Sequence, residues 1–236
     1  MGLLKYIVIQ SFEYFSLFIF ILIQFRFFLR ENILQISLIS LLLSFVSYTF
    51  TNAGLNALFP IIQVVIILLY IRIAMKVSLL NALIMFFTGY IVFGLAQTCV
   101  LAATLHAEIF QDKIDAGTDE AYFVQIITIA LMFLISWLIS LLKGGFSFIE
   151  AHSRFSTKSF TGKSRIFIMF IVFAFIVSIA ANIIILEIDN PPQLEIAFLN
   201  LVLLLILFYL SIRRDEVNDR SAIQSSRRQN EENKPG

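Results

Sequence analysis

Of 236 residues, 59% are hydrophobic and only 14% are charged, against about a quarter charged in an ordinary soluble domain. Mean hydropathy is +0.91 and the formal net charge is +1, which excludes a water-soluble globule and leaves nucleic-acid binding without global electrostatic support. The single cysteine, Cys99, excludes an intrachain disulfide and a cysteine-based metal cluster.

The amino terminus is apolar with Lys5 as its one charged flank and has no small-x-small cleavage site, so a retained helix is expected. Crossing a hydrocarbon core takes about 20 apolar residues in a helix. Seven stretches qualify: Tyr6–Phe28, Ile33–Phe50, Leu55–Ala74, Leu79–Leu105, Tyr122–Leu142, Ile166–Leu186 and Ile196–Ile212. None alternates polar and apolar residues as a barrel strand would, so the fold class is all-α, a polytopic membrane bundle over residues 1–212. Residues 213–236 turn abruptly polar and are expected to form a disordered cytoplasmic tail.

Within the first stretch, Glu13 is the one acid well inside an apolar run, with Gln10 and Gln24 on the same helical face. A carboxylate inside a membrane is costly unless it is paired, protonated or wetted. Glu13 is thus either a ligand- or proton-sensing group or a neutral, hydrogen-bonded side chain near the outer interface. The second stretch places Ser37, Ser40, Ser44, Ser47 and Thr51 at steps of 3, 4, 3 and 4, one face of small hydroxyls suited to a helix contact. This points to the second helix as the central one. In the fourth, Gly94, Thr98 and Ala102 repeat at four-residue spacing, again a contact seam.

The connections sort by charge. His106–Ala121 carries Glu108, Asp112, Asp115, Asp119 and Glu120 against Lys113, whereas Lys143–Arg165 carries Lys143, Arg154, Lys158, Lys163 and Arg165 against Glu150. Short basic loops stay cytoplasmic, which places the amino terminus outside, the carboxyl terminus inside, and the chain in a cell membrane. Lys5 dissents, because it lands outside. The basic loop interleaves Phe146, Phe148, Phe155 and Phe160 with its cations and is read as a membrane-surface or partner contact.

Amides gather in the outer halves of the helices: Gln10, Gln63, Gln97, Gln125, Asn182 and Asn200. They are consistent with plain packing or with a pocket open to the exterior, for which Gln10, Glu13, Gln63, Gln97 and Asn182 are the candidate ligand-binding residues. Cys99 and His106 share a face but stand about 10 Å apart along it, too far for a nucleophile pair. No paired-carboxylate, serine-nucleophile or phosphate-loop motif occurs. No enzymatic activity, metal or cofactor is expected.

The first helix reading Gln10-Ser11-Phe12-Glu13-Tyr14-Phe15, tight helix pairs, Arg-bearing ends of helices one and three, seven spans, and Gly145-Phe146-Ser147-Phe148-Ile149 after helix five together resemble the membrane sensor domain of peptide-pheromone-type receptor histidine kinases of Gram-positive bacteria. That resemblance implies sensing of an extracellular peptide or small ligand. No phosphoacceptor hairpin or ATP-binding domain follows helix seven, so no autokinase activity is expected. The sequence therefore reads as a non-enzymatic sensory or accessory module, signalling to a cytoplasmic protein or a second copy of itself. The alternative is a small secondary transporter or permease subunit, since three helices, a linker helix and three more suit a parallel repeat.

Overall fold

The computed structural model describes residues 2–55, 59–107 and 118–146, with separate helical positions within 169–180 and within 195–209. Among these residues there is no strand. In order come α1 (Leu3–Gln24), α2 (Leu29–Asn52), α3 (Phe59–Ala74), α4 (Leu79–His106) and α5 (Asp119–Leu141). Four of them, α1, α2, α4 and α5, are long and apolar enough to cross a membrane, while α3 is shorter. The all-helical bundle expected from the sequence is thus present. Most of stretches six and seven, and all of the tail, lie outside the described residues.

Helix α1, not α2, is the element on which the others pack. It contacts α2, α4 and α5, and Leu17, Phe18, Phe20, Ile21, Leu22 and Phe25 are all buried along it. The serine face of α2 turns towards α1. Ser40, Ser44 and Ser47 are buried, Ser44 meets Ser11 at 2.8 Å and Ser47 meets the Tyr6 hydroxyl at 2.7 Å. The small-hydroxyl face is a packing seam, and its partner is the central helix. Away from these contacts, Leu34, Leu38 and Phe45 of α2, Leu69 of α3 and Trp137 and Leu141 of α5 are exposed. Large apolar side chains in continuous outward strips fit a lipid surround rather than water.

Charge and helix termination coincide. Helix α1 closes with Phe27 N–H donating to Leu22 O and Arg26 N–H to Ile23 O, a Schellman arrangement with Arg26 at φ 56°. Helix α5 closes the same way, Gly144 N–H donating to Ile139 O and Lys143 N–H to Ser140 O, with Lys143 at φ 51°. Just past α3, Lys76 has φ 50°. These three helices all finish at one end of the bundle, so a base occupies the left-handed position at each. Glycine avoids the cost of about 1–2 kcal/mol that other residues meet there, and Gly54, at φ 71°, takes that position where α2 finishes at the opposite end. Cations at helix carboxyl ends meet the negative pole of the backbone dipole, a gain of about 0.3–1 kcal/mol that offsets part of the strain.

The glycine that brings α4 to α1 is not the one in the Gly94, Thr98 and Ala102 repeat. Among the described residues a Cβ at Gly94 would meet nothing within 4 Å, whereas one at Gly89 would come within 2.4 Å of Ile21 Cγ1 and 2.8 Å of Ile21 Cδ1. The close approach of α4 to α1 therefore rests on Gly89, one turn and a half before the repeat. Gly89→Val is expected to destabilise the bundle by about 1–3 kcal/mol through overpacking, and Gly94→Ala to leave stability unchanged or slightly raised. Thermal unfolding in detergent, read by circular dichroism, distinguishes them, and equal losses for both would refute this assignment.

Candidate functional site

Helix α1 begins three residues earlier than the apolar run implied and ends at Gln24, which moves Glu13 to its middle. At 1.5 Å per residue Glu13 lies about 15 Å from either end of the helix, deeper in it than the apolar run implied. Glu13 is only 7% exposed. Gln10 stands one turn earlier on the same face, and the Glu13 main-chain carbonyl accepts from Ser16 Oγ at 2.7 Å. The carboxyl oxygen Oε2 is buried and, among the described residues, has no hydrogen-bond partner.

Helix α5 runs parallel to α1 and brings Gln125 beside Gln10, with Gln125 Nε2 donating to Gln10 Oε1 at 3.4 Å. Gln125 Oε1 is buried without a donor, as is the Tyr122 hydroxyl one turn before it. The Tyr122 ring lies 4.6 Å beneath Lys5 Nζ, and Lys5 pairs with Asp119 at the start of α5. A file of polar groups therefore runs from the amino-terminal ends of α1 and α5 to the middle of the bundle: Lys5 and Asp119, Tyr122, Gln125, Gln10, Glu13. Helix α2 flanks it with hydroxyls. Ser47 meets the Tyr6 hydroxyl and Ser44 meets Ser11.

The carboxyl ends of the same two helices are also joined. Phe146 N–H donates to Gln24 O at 2.7 Å, and the Arg26 guanidinium donates to Lys143 O at 2.8 Å and to Gly144 O at 3.3 Å. Phe146 is buried against Phe25, ring centroids 5.7 Å apart. A Cβ on Gly145, which has φ +104°, would stand 2.6 Å from the Gln24 carbonyl oxygen. Only glycine permits this approach.

Of the candidate ligand-binding residues, Gln10 and Glu13 come together, and they do so with Gln125. Gln63 on α3 and Gln97 on α4 are half-buried, and among the described residues no hydrogen bond joins either to that group. Asn182 lies outside the described residues. Lys143 is exposed where α5 ends, while Arg154, Lys158, Lys163 and Arg165 lie outside the described residues. Tyr122, Tyr6, Ser11 and Ser44 were not legible as site neighbours, because their relevance depends on α5 and α2 both packing on one face of α1. A cleft of about 290 Å³ between α1, α4 and α5 is lined by Phe20, Val92, Leu95, Ala96, Cys99, Leu131, Ile135 and Ile139. Its lining is wholly apolar, so it is not the polar pocket expected from the amides. Among the described residues no group of His, Cys, Asp and Glu could hold a metal ion.

Comparison with known proteins returned no match: no family model fits the chain, and neither the curated proteins nor the solved structures hold one similar to it.

The packing that builds the file is testable directly. In a Cys99→Ser background, Ser11→Cys with Ser44→Cys is expected to form a disulfide under mild oxidation, because the two hydroxyls already touch. Glu13→Cys with Gln63→Cys is expected not to. A gel-shift pattern reversed between the pairs would overturn the arrangement of α1, α2 and α3.

Proposed function

We propose that this chain is a non-enzymatic multi-pass protein of the cell membrane, a sensory or accessory module in which α1 carries a signal from its polar file to the basic loop after α5. The observation that carries the reading is the 2.7 Å bond from Phe146 N–H to Gln24 O. It fastens the beginning of the basic stretch to the carboxyl end of the helix that holds Glu13. A shift or rotation of α1 is thereby felt at Lys143 and the residues that follow it.

Orientation follows from charge. Arg26, Arg30, Arg72, Lys76 and Lys143 stand at one end of the bundle with Glu31 as the acid, and Asp119 and Glu120 stand at the other with Lys5. By the preference for Lys and Arg inside, the first end is cytoplasmic and the amino terminus faces out. Lys5, the dissenter, is neutralised by Asp119 and does not pull its end inward. On this reading the module spans the membrane about seven times. It meets an extracellular peptide or small ligand from the end that carries Asp119, near Gln10 and Glu13. Its cytoplasmic partner, a signalling protein or a second copy, engages the basic loop at Lys143, Arg154, Lys158, Lys163 and Arg165. The resemblance to the sensor domain of pheromone-type receptor kinases supports the same direction of signalling.

A small secondary carrier is the second reading, favoured by a buried carboxyl at mid-span. It is weakened by the absence, among the described residues, of a helix broken at mid-span. Pro60 falls in the first described turn of α3. Solute uptake into reconstituted vesicles would promote it.

Two measurements test the main reading. With Cys99 replaced, a cysteine at Ser156 is expected to label only from the cytoplasm and one at Thr118 only from outside. Gly145→Ala, which forces the Gln24 contact apart, is expected to cost about 1–3 kcal/mol and to change the labelling rate at position 156 severalfold. An unchanged rate in a folded variant would break the link between α1 and the loop.

A further inference from the structure

We propose that the ligand of the α1–α5 polar file is a proton, taken up by Glu13 Oε2 from water at the end of the bundle that carries Lys5 and Asp119. The inference deepens the sensory reading and rests on it for its consequence, though not for the binding itself.

Three observations carry it. First, Glu13 is 7% exposed and, among the described residues, its Oε2 has no partner, while Gln125 Oε1, on the far side of Gln10, is a second buried acceptor without a donor. An ionised carboxylate only accepts hydrogen bonds. One proton on Oε2 removes the charge that would otherwise stand buried without a partner. Second, no base stands against Glu13 among the described residues. Lys5 is held by Asp119 at the end of the helices, and Arg26, Arg30, Arg72, Lys76 and Lys143 belong to the opposite end. The titratable side chains on the helices packed around it are Tyr6 and Tyr14 on α1, Tyr48 on α2, Tyr90 and Cys99 on α4 and Tyr122 on α5, all neutral in their ordinary state near pH 7. His106, Asp119 and Glu120 lie at helix ends. Third, the amides lie to one side: Gln10 and Gln125, joined at 3.4 Å, and beyond them Tyr122 stand between Glu13 and the Lys5 and Asp119 end, whereas below Glu13 the buried polar side chains of α1 are Ser16, whose hydroxyl is bonded to the Glu13 carbonyl, and Gln24 near the helix end. Gln125 and Gln10 are therefore the groups that a proton entering from the Lys5 and Asp119 end would meet before Glu13.

The test uses the full chain reconstituted in lipid vesicles and difference infrared spectroscopy of the protonated-carboxyl stretch. Between about pH 5 and about pH 9, a range within which buried carboxyls are known to titrate, one band is expected to appear and disappear with a single-proton transition. Glu13→Gln should abolish it, and Gln125→Leu should move its midpoint by about one pH unit, a tenfold change in proton affinity. A band constant across the range, or one that titrates unaltered in Glu13→Gln, overturns the proposal. Should Glu13→Gln fail to fold, as judged by loss of the Ser11/Ser44 cross-link, the Gln125→Leu shift decides, and an unmoved midpoint refutes it. Labelling at position 156 across the same pH range separates the two ideas: a titrating band with a silent loop keeps the proton site and removes the sensory coupling. A loop that answers a peptide while the band stays fixed does the reverse.

Discussion

Two clamps hold α1 and α5 side by side, and the rest of the bundle is arranged around the pair. At one end Lys5 meets Asp119. At the other, the α1 carboxyl terminus receives Phe146 N–H while Arg26 reaches back to the carbonyls that end α5. Along α1 these clamps are about 28 Å apart at 1.5 Å per residue, close to the thickness of a bilayer's hydrocarbon core, about 30 Å. Polar bonds thus close both ends of the pair at a spacing that matches that thickness. Because both ends are fixed, the two helices cannot slide past one another by a turn without breaking one clamp.

The same constraint explains an otherwise costly choice of residues. A helix that ends at a membrane surface must satisfy its last carbonyls, and the tight left-handed closure used by α1 and α5 does so within a few residues. Glycine would be the residue of least strain at Arg26, Lys76 and Lys143. Bases stand there instead, all at one end of the bundle. Each serves as helix terminus and as dipole partner. In Arg26 a third role is added, since its guanidinium is the bond that ties α1 to α5. At the opposite end, where α2 stops, Gly54 takes the left-handed position.

Much of this was legible in the sequence. Apolar length located α1 to α5 to within a few residues, since nothing competes with hydrocarbon in setting the extent of such helices, and serine spacing marked the face of α2 that would be buried. What could not be read was which helix that face meets. Periodicity defines a stripe but not its partner, and so α2 looked central when α1 is. The approach of α4 to α1 was hidden for the same reason: a four-residue repeat of small residues at Gly94, Thr98 and Ala102 is a capacity for close approach, and it is Gly89, a lone glycine among large side chains, that meets Ile21. Among the amides, Gln10 and Glu13 share a helix and could be joined by angle alone. Gln125 needed the parallel pairing of α5 with α1, and the one sequence clue to that was Lys5, whose base among acidic neighbours is an anomaly until Asp119 stands beside it.

Glu13 is where these constraints meet. A helix clamped at both ends and packed on three sides has little freedom to translate, so what a change at its midpoint can alter is the rotation of α1 and the hydrogen bonding of the file. Helix α2 would register rotation through Tyr6 and Ser11, which meet Ser47 and Ser44. Helix α4 would register it through Ile21, already pressed on Gly89. The Phe25–Phe146 contact would carry it to the start of the basic loop. A hydroxyl seam can exchange partners with little change in energy, whereas the glycine contact and the glycine at position 145 cannot yield without steric overlap. The soft surface of α1 therefore lies on its amino-terminal half, beside Glu13, and the stiff surface on its carboxyl-terminal half. In the proposed sensory reading, that ordering would let a change at Glu13 be collected by an adaptable interface and delivered by a rigid one.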